Sequence, residues 1–362
     1  VCSSDLQAER KNRSGVHLMS LRMEELLREC VYGGPGISAS GGGGQAILLL
    51  NRRGYANYIA CPDPRCGWMM RCEFCDATMV YHKDGALPTG GLVRCHHCDA
   101  QQMLPERCPN SPHRLTIFGL GTQRVEEEIG KKFPKLRFVR MDSDTMRSSK
   151  DYHASLSAFG HGEIDLLIGT QMIAKGLDFP NVRMVGVISG DTALHLPDFR
   201  AAERTFQLIA QVAGRAGRGE KAGVVVVQTF NPEDPSIVLA SKHDYDSFAA
   251  RELQLRHEVN LPPVSRMARV VCRDLDHVKC VTAARELADH LNQANQTLGN
   301  LVRVRGPMPC PVARIGGFHR QQVEMLAPDA ATMQKLLTMV RNAKKLRSDG
   351  HMAVDVDPVS LM

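Results

Sequence analysis

Apolar residues recur along this chain in two rhythms. Blocks of strand length occupy 46–50, 115–118, 136–141, 164–169, 182–189 and 223–230, and between them 122–133, 151–159 and 201–213 carry apolar positions at helical spacing. Short apolar strands alternating with helices predict a parallel sheet covered on both faces and joined by right-handed crossovers. The expected fold class is therefore α/β, a doubly wound lobe whose functional loops leave the carboxyl ends of its strands.

The order changes beyond about residue 236. A charged helical segment, 245–259, meets Leu261-Pro262-Pro263, which stops helices. Strand 267–272, helix 278–298, strand 302–304, the break Gly306-Pro307-Met308-Pro309, strand 322–326, helix 330–346 and strand 351–356 follow. That order predicts a small α+β domain. At the other end, 1–45 holds one helix, 19–28, and glycine-rich stretches that read as linker; no Gly-Lys-Ser/Thr follows those glycines, so they are no phosphate loop. The expected division is a remnant or linker at 1–45, a lobe at 46–60 and 115–240, an insert at 61–114 and a C-terminal domain at 241–362.

Composition narrows the class. With 43% hydrophobic and 23% charged residues the chain suits a packed soluble protein. No apolar run approaches the roughly 18 residues of a membrane helix, and the N-terminus lacks a secretory pattern, so the expectation is a cytoplasmic protein without membrane contact. A net charge of +6 favours polyanions only mildly, and specific Arg and Lys positions must carry any nucleic-acid claim. Of the 12 cysteines, all but Cys2, Cys30, Cys272, Cys280 and Cys310 fall between Cys61 and Cys108, a clustering that reads as metal ligation before disulfides.

Cys72-x2-Cys75 and Cys95-x2-Cys98 have zinc-ribbon spacing, two thiolate knuckles closing a tetrahedron on one Zn²⁺. The outer set is less regular: Cys61-x4-Cys66 and Cys108, with Ser111 where a CxxC knuckle has its second thiol. Serine is a poor zinc ligand at neutral pH. His113 offers a neutral imidazole for a Cys3His site, or stays a solvated loop histidine; His96 and His97 are also near. Both sites are expected to be closed and structural. Asp142 and Asp144 do not make a calcium loop, because the next carboxylate position is Met146.

Two loops carry the nucleotide and DNA reading. In Ile168 to Asp178, a buried strand opens into a loop; Thr170, Gln171 and Lys175 suit a DNA phosphate, as do Arg52 and Arg53 after the first strand, and Gly176 and Asp178 are expected at a nucleotide cleft, the plain alternative being an ordinary strand-loop-helix junction. In Gln211-Val212-Ala213-Gly214-Arg215-Ala216-Gly217-Arg218, two arginines three apart lie on one helical face with small residues between, so both reach one polyanion. The plain alternative, a solvated basic helix end, explains Arg218 but not the Gln-x-x-Gly-Arg-x-x-Arg frame. Gln211, Arg215 and Arg218 are the expected catalytic set, with Gly214 at the nucleotide.

NRRGYA, IGTQMIAKGLDFP and QVAGRAGRG are similar to the lobe-two motifs of superfamily 2 helicases. Together with GLGTQRVEEEI, RMDSDT, PDFRAAER, LPP and DVDP they resemble the bacterial replication-restart helicases, the primosomal protein N′ family, from about Ala46 to Pro358. The resemblance implies a RecA-like helicase lobe, ATP-driven 3′ to 5′ unwinding at stalled forks, and two zinc ions on eight cysteines. By it, Cys61, Cys66 and Cys108 fall on the outer site and Cys72, Cys75, Cys95 and Cys98 on the inner. The chain departs from the family in the two extra residues between Cys61 and Cys66, in Ser111, and in having no Walker A or DExH sequence. ATP and Mg²⁺ would be shared with a first lobe absent from these residues, and hydrolysis by this chain alone is not expected.

The family's C-terminal module is implied to touch single-stranded DNA and single-strand-binding protein, and Arg303, Arg305, Arg314, His319 and Arg320 form a local basic cluster in it, suited to phosphates or else solvated loop charge. The implied partners are forked and single-stranded DNA and other primosome proteins, met by a monomer. The competing reading is a catalytically inactive, zinc-stapled scaffold for DNA or primosome proteins. Arg215 and Arg218 favour the motor, since a scaffold has no physical need of them.

Overall fold

The computed structural model describes residues 2–5, 17–33, 43–50, 58–61, 66, 68–74, 79–83, 91–95, 100–118, 122–142, 145–146, 148–170, 173, 179–190, 194, 198–216 and 223–361. In chain order the elements begin with β1 (Cys2–Asp5), α1 (Leu21–Tyr32), β2 (Gln45–Leu49), β3 (Tyr58–Ala60), β4 (Val80–Lys83), β5 (Gly91–Arg94), β6 (Gln101–Met103) and β7 (Thr116–Phe118). There follow α2 (Thr122–Lys132), β8 (Phe138–Met141), α3 (Ser149–Gly160), β9 (Leu166–Gly169), β10 (Val182–Val187), α4 (Ala201–Ala213), β11 (Val224–Thr229) and α5 (Pro235–Ser241). The last part holds α6 (Tyr245–Glu258), β12 (Arg266–Asp274), α7 (His277–Thr297), β13 (Arg303–Ile315), β14 (Phe318–Ala327), α8 (Ala330–Asn342) and β15 (Met352–Val356).

The chain divides into two compact units, one of residues 1–56, 119–196 and 200–249, the other of 57–118, 197–199 and 250–362. The first is the predicted doubly wound lobe, a parallel sheet in the order β1-β11-β10-β2-β9-β8. Successive strand residues point to opposite faces, and here both faces are apolar. Ile47, Leu49, Leu167, Val185, Val187, Val225 and Val227 join one core with Phe159, Phe206, Ile209 and Val212. Ala46, Leu48, Leu166, Ile168, Met184 and Val226 join the other with Met23, Leu26, Leu27, Val125 and Ile129. Each large side chain fully buried in this way stabilises the lobe by about 1.5–3 kcal/mol.

The lobe differs from the sequence expectation in two respects. Residues 115–118 do not enter this sheet: β7 pairs antiparallel with β3 in the other unit, and β1 occupies the edge beside β11 instead. Nor is 1–45 merely linker. Met23, Leu26, Leu27 and Cys30 are buried on the sheet, and Ser20 caps α1 by accepting from the Met23 N–H. Gln228, buried on β11, accepts from the Ser20 N–H at 2.7 Å and donates to Leu18 and Ile188 carbonyls at 2.7 and 2.8 Å.

In the second unit, β4, β5 and β6 form a small antiparallel sheet within the cysteine-rich block. The tail is a four-stranded antiparallel sheet, β13-β14-β12-β15, with α7 and α8 against one face. Its β-α-β-β-α-β order is the split βαβ arrangement. The sequence break at Gly306–Pro309 does not end β13. That strand lies at the sheet edge, and its pairing with β14 shifts register between Arg305 and Met308 and again between Pro309 and Arg314. Proline is tolerated at such edges and bulges. Gly306, at φ +104, has no room for a side chain: an added Cβ would stand 2.8 Å from the Gln322 carbonyl. Among the described residues, no helix is long and apolar enough to cross a membrane.

Candidate metal centre and motor-lobe loops

The outer cysteines converge. The sulfurs of Cys61, Cys66 and Cys108 lie within 4.8 Å of one another, with the Cys66 and Cys108 Sγ atoms 3.6 Å apart. The sequence spreads these residues over nearly fifty positions, and backbone hydrogen bonds draw their segments together. The Cys61 N–H donates to the Trp68 carbonyl at 3.0 Å, closing the first loop. The Cys108 N–H donates to the His113 carbonyl at 2.9 Å, and the Arg107 guanidinium holds the Pro112 carbonyl at 3.0 Å, closing the second.

Ser111 Oγ stands 3.2 Å from Cys61 Sγ and 3.1 Å from His113 Nδ1, which is itself 3.7 Å from Cys61 Sγ. Burial would raise the Cys108 thiol, but hydrogen bonds from Ser111, from the Asn110 N–H and from the neighbouring thiols outweigh it and hold its pKa down. The Trp68 backbone hydrogen bond lowers the Cys66 thiol, but burial and the Cys108 and Cys61 thiols outweigh it and push its pKa up. Three convergent cysteine sulfurs are a zinc donor set. Ser111 thus stands at the knuckle position that the sequence spacing assigns to it, beside Cys61.

Of the inner set, Cys72 and Cys95 are buried and share one core with Ile59, Met70, Met79 and Val93. The Cys95 N–H donates to the Ala100 carbonyl at 2.9 Å, starting the second knuckle. Cys75 and Cys98 lie outside the described residues. Four further cysteines are poor donors: burial pushes the Cys30 and Cys272 thiols up to about 12 and raises Cys280 and Cys310 as well.

In the lobe, Thr170 follows β9 at the carboxyl edge of the sheet, and its carbonyl accepts from the Ile173 N–H at 3.1 Å. Gly169 is required there, because an added Cβ would lie 2.5 Å from both the Met141 carbonyl and Ile173 Cδ1. Gln211 is in the last turn of α4, Gly214 caps it and Arg215 follows, half-buried. Helix α4 returns from β10 to β11. A crossover between parallel strands runs back along the sheet, so Gly214 and Arg215 leave the lobe at the amino edge, not the carboxyl edge expected of its functional loops. Arg218, Arg52, Arg53, Gln171, Lys175, Gly176 and Asp178 lie outside the described residues.

Asp142, rejected as a calcium ligand, has a structural place. Asp142, 3% exposed after β8, accepts from Thr122 Oγ1 at 2.5 Å and from the Thr145 N–H at 3.0 Å, with Arg140 Nε at 3.4 Å. It ties the start of α2 to the turn after β8. The Asp-x-x-Thr spacing of an Asx turn was the available signal. The tail's basic cluster is also more committed than a solvated loop. Its members lie on β13 and β14, where Arg305 pairs with Glu324 at 3.5 Å, Arg320 donates to the Val312 carbonyl at 3.0 Å and Arg314 to the Glu73 carbonyl at 2.6 Å.

Three family models match in order along the chain: the PriA DNA helicase Cys-rich region domain over residues 72–102, the helicase conserved C-terminal domain over 99–220, and the primosomal protein N C-terminal domain over 257–359. Replication restart protein PriA of Bacillus subtilis (strain 168) is 39% identical over 98% of this chain and 42% of its own length. Over the residues it spans, the chain belongs to the PriA family.

PriA of Synechocystis is 37% identical over 88% of the chain and 37% of its own length, and PriA of Haemophilus influenzae 37% over 88% and 43%. The chain thus spans less than half the length of these curated relatives. The PriA Cys-rich model takes in Cys72, Cys75, Cys95 and Cys98. Cys61, Cys66, Cys108 and His113 fall outside it. The parallel-sheet lobe is the RecA-like C-terminal helicase lobe, and the split βαβ tail is the PriA C-terminal domain.

Proposed function

We propose that the chain provides the second motor lobe, the zinc module and the tail domain of an ATP-driven DNA helicase that unwinds 3′ to 5′ at stalled forks and assembles the primosome. The observation that carries this reading is the Gln211-Val212-Ala213-Gly214-Arg215 sequence at the open end of α4, in a chain whose three family matches keep the PriA order. Guanidinium groups at such an end stabilise charge developing on a γ-phosphate held by a companion lobe. Arg215 and Arg218 take that role, Gln211 orients the attacking water, and Gly176, Asp178 and Gly214 line the nucleotide. The ATP and Mg²⁺ are held jointly with the first lobe.

Arg52, Arg53, Thr170, Gln171 and Lys175 hold phosphates of the DNA strand. Cys72, Cys75, Cys95 and Cys98 hold the inner zinc ion; Cys61, Cys66 and Cys108 hold the outer. Both ions fold the module and supply no chemistry to hydrolysis. Forked and single-stranded DNA, single-strand-binding protein and other primosome proteins are the partners, and the working form is a monomer. The test is Arg218→Ala in a protein that also contains the ATP-binding lobe. DNA-stimulated ATP hydrolysis should fall by on the order of 10³-fold, with DNA affinity retained. Unchanged turnover rejects the motor reading.

A further inference from the structure

We infer that the outer zinc ion is held by three cysteines and one histidine, with His113 Nδ1 replacing the thiolate that Ser111 cannot provide. The inference rests on the zinc-module reading above and adds to it the identity of the fourth donor. A tetrahedral zinc with Zn–S of about 2.3 Å and Zn–N of about 2.0–2.1 Å has S···S edges of roughly 3.8 Å and S···N edges of roughly 3.5 Å. The Cys66–Cys108 separation of 3.6 Å and the Cys61–His113 separation of 3.7 Å match those edges; the imidazole is not within 4.8 Å of all three sulfurs, so its ring closes the remaining edges by turning inward when the ion binds.

Ser111 Oγ lies closer, 3.2 Å from Cys61 Sγ, which is a hydrogen-bond distance to sulfur. A neutral hydroxyl there donates to the Cys61 thiolate, an outer-shell role of the kind that orients metal ligands. The backbone explains how a residue two places further on reaches the site. Arg107 and Arg114 form an antiparallel bridge, and the Cys108 N–H bonds the His113 carbonyl, so the 108–113 turn folds back and sets His113 beside the cysteines. Imidazole is a good zinc donor and a serine hydroxyl a poor one. The outer centre then carries one negative charge fewer than a four-cysteine centre.

The experiment is X-ray absorption at the zinc edge, with zinc content, on the purified chain and three variants. The chain should bind about two ions and show imidazole scattering beyond the first shell. His113→Ala should lose that scattering and about half of the zinc, His113→Cys should recover the zinc with added sulfur, and Ser111→Ala should keep both ions and the imidazole signal. The retained inner ion serves as the check that each variant folds. A two-zinc chain whose imidazole signal survives His113→Ala, or a Ser111→Ala variant that loses the outer ion, overturns the assignment to His113 alone. A wild-type chain with zinc near zero overturns the zinc module and the inference together.

Discussion

The Arg314 guanidinium donates to the backbone carbonyl of Glu73 at 2.6 Å. One residue belongs to the tip of the β13–β14 hairpin and the other follows Cys72 in the Cys-rich region. Beside them the Gly317 N–H donates to the Phe74 carbonyl at 2.6 Å, and Ile315 packs on the knuckle core. The zinc module and the tail therefore share one compact unit, and the knuckle that orders Cys72 is braced by a strand 241 positions away in sequence.

Breaking that brace gives a first prediction. Arg314→Ala removes a charged donor from a main-chain carbonyl and should cost about 1.5–3 kcal/mol of this unit's stability at most. Amide exchange at residues 71–74 should accelerate. Exchange rates there equal to those of the parent would show that the hairpin does not brace the knuckle.

A second concerns the strand end that positions Thr170. Gly169→Ala forces a methyl into the Met141 carbonyl and Ile173 Cδ1, each 2.5 Å from the added Cβ. Overpacking of this kind costs about 1–3 kcal/mol, so the urea midpoint of the lobe should drop. A midpoint within error of the parent would contradict the close approach.

The N-terminal segment supplies the third. Lys132 Nζ contacts Glu24 at 2.7 Å and, on its own helix, Glu128; Glu128 in turn accepts from the Leu18 N–H at 2.8 Å. Lys132→Met leaves two largely buried carboxylates without their cation and should destabilise the lobe by about 2 kcal/mol, discounted from a fully buried pair for partial exposure. Adding Glu24→Gln should restore part of the loss. If the double variant is no better than the single, the ion pair is not the cause.

Acid stability of the tail is the fourth. Backbone N–H groups, chiefly those of Lys279 and Thr332, hold the Asp276 and Asp329 carboxyls below the ordinary value of 3.8. The unfolded chain therefore takes up protons before the folded one. The stabilisation is complete above the unfolded value and is lost as pH falls through the lower folded value. The melting temperature of the tail should decline below about pH 4, and the pair Asp276→Asn with Asp329→Asn should flatten that decline. A pair variant with an unchanged acid limb would rule out these two caps.

Salt dependence is the fifth. Phosphate contacts release counterions, so affinity for single-stranded DNA should fall by about tenfold or more between roughly 50 and 200 mM salt. Binding insensitive to salt would remove the phosphate contacts assigned to the lobe loops.

Much of this molecule is written in local rules. The largely apolar runs at 46–50, 164–169, 182–189 and 223–230 set a two-faced parallel sheet, because strand side chains alternate and both faces must be covered. The caps of α7 and α8 at Asp276 and Asp329 are likewise local, each aspartate accepting from N–H groups two or three residues on. The CxxC spacings marked the metal module, and the Gln-x-x-Gly-Arg frame marked the end of α4.

What only the tertiary structure decided depends on partners far apart in the chain. A strand-length block such as 115–118 carries no sign of which sheet it joins, and β7 joined β3. The helix at Leu21–Tyr32 was legible as a helix, but its place in the lobe core rests on Glu128 and Gln228, more than a hundred residues away. By sequence Ser111 held the knuckle position as a poor ligand, and His113, two residues on, offered the imidazole. Only the fold of the 108–113 turn, set by Arg107 and the Cys108 amide, put a hydroxyl at hydrogen-bond distance from Cys61 and an imidazole at the length of a zinc edge.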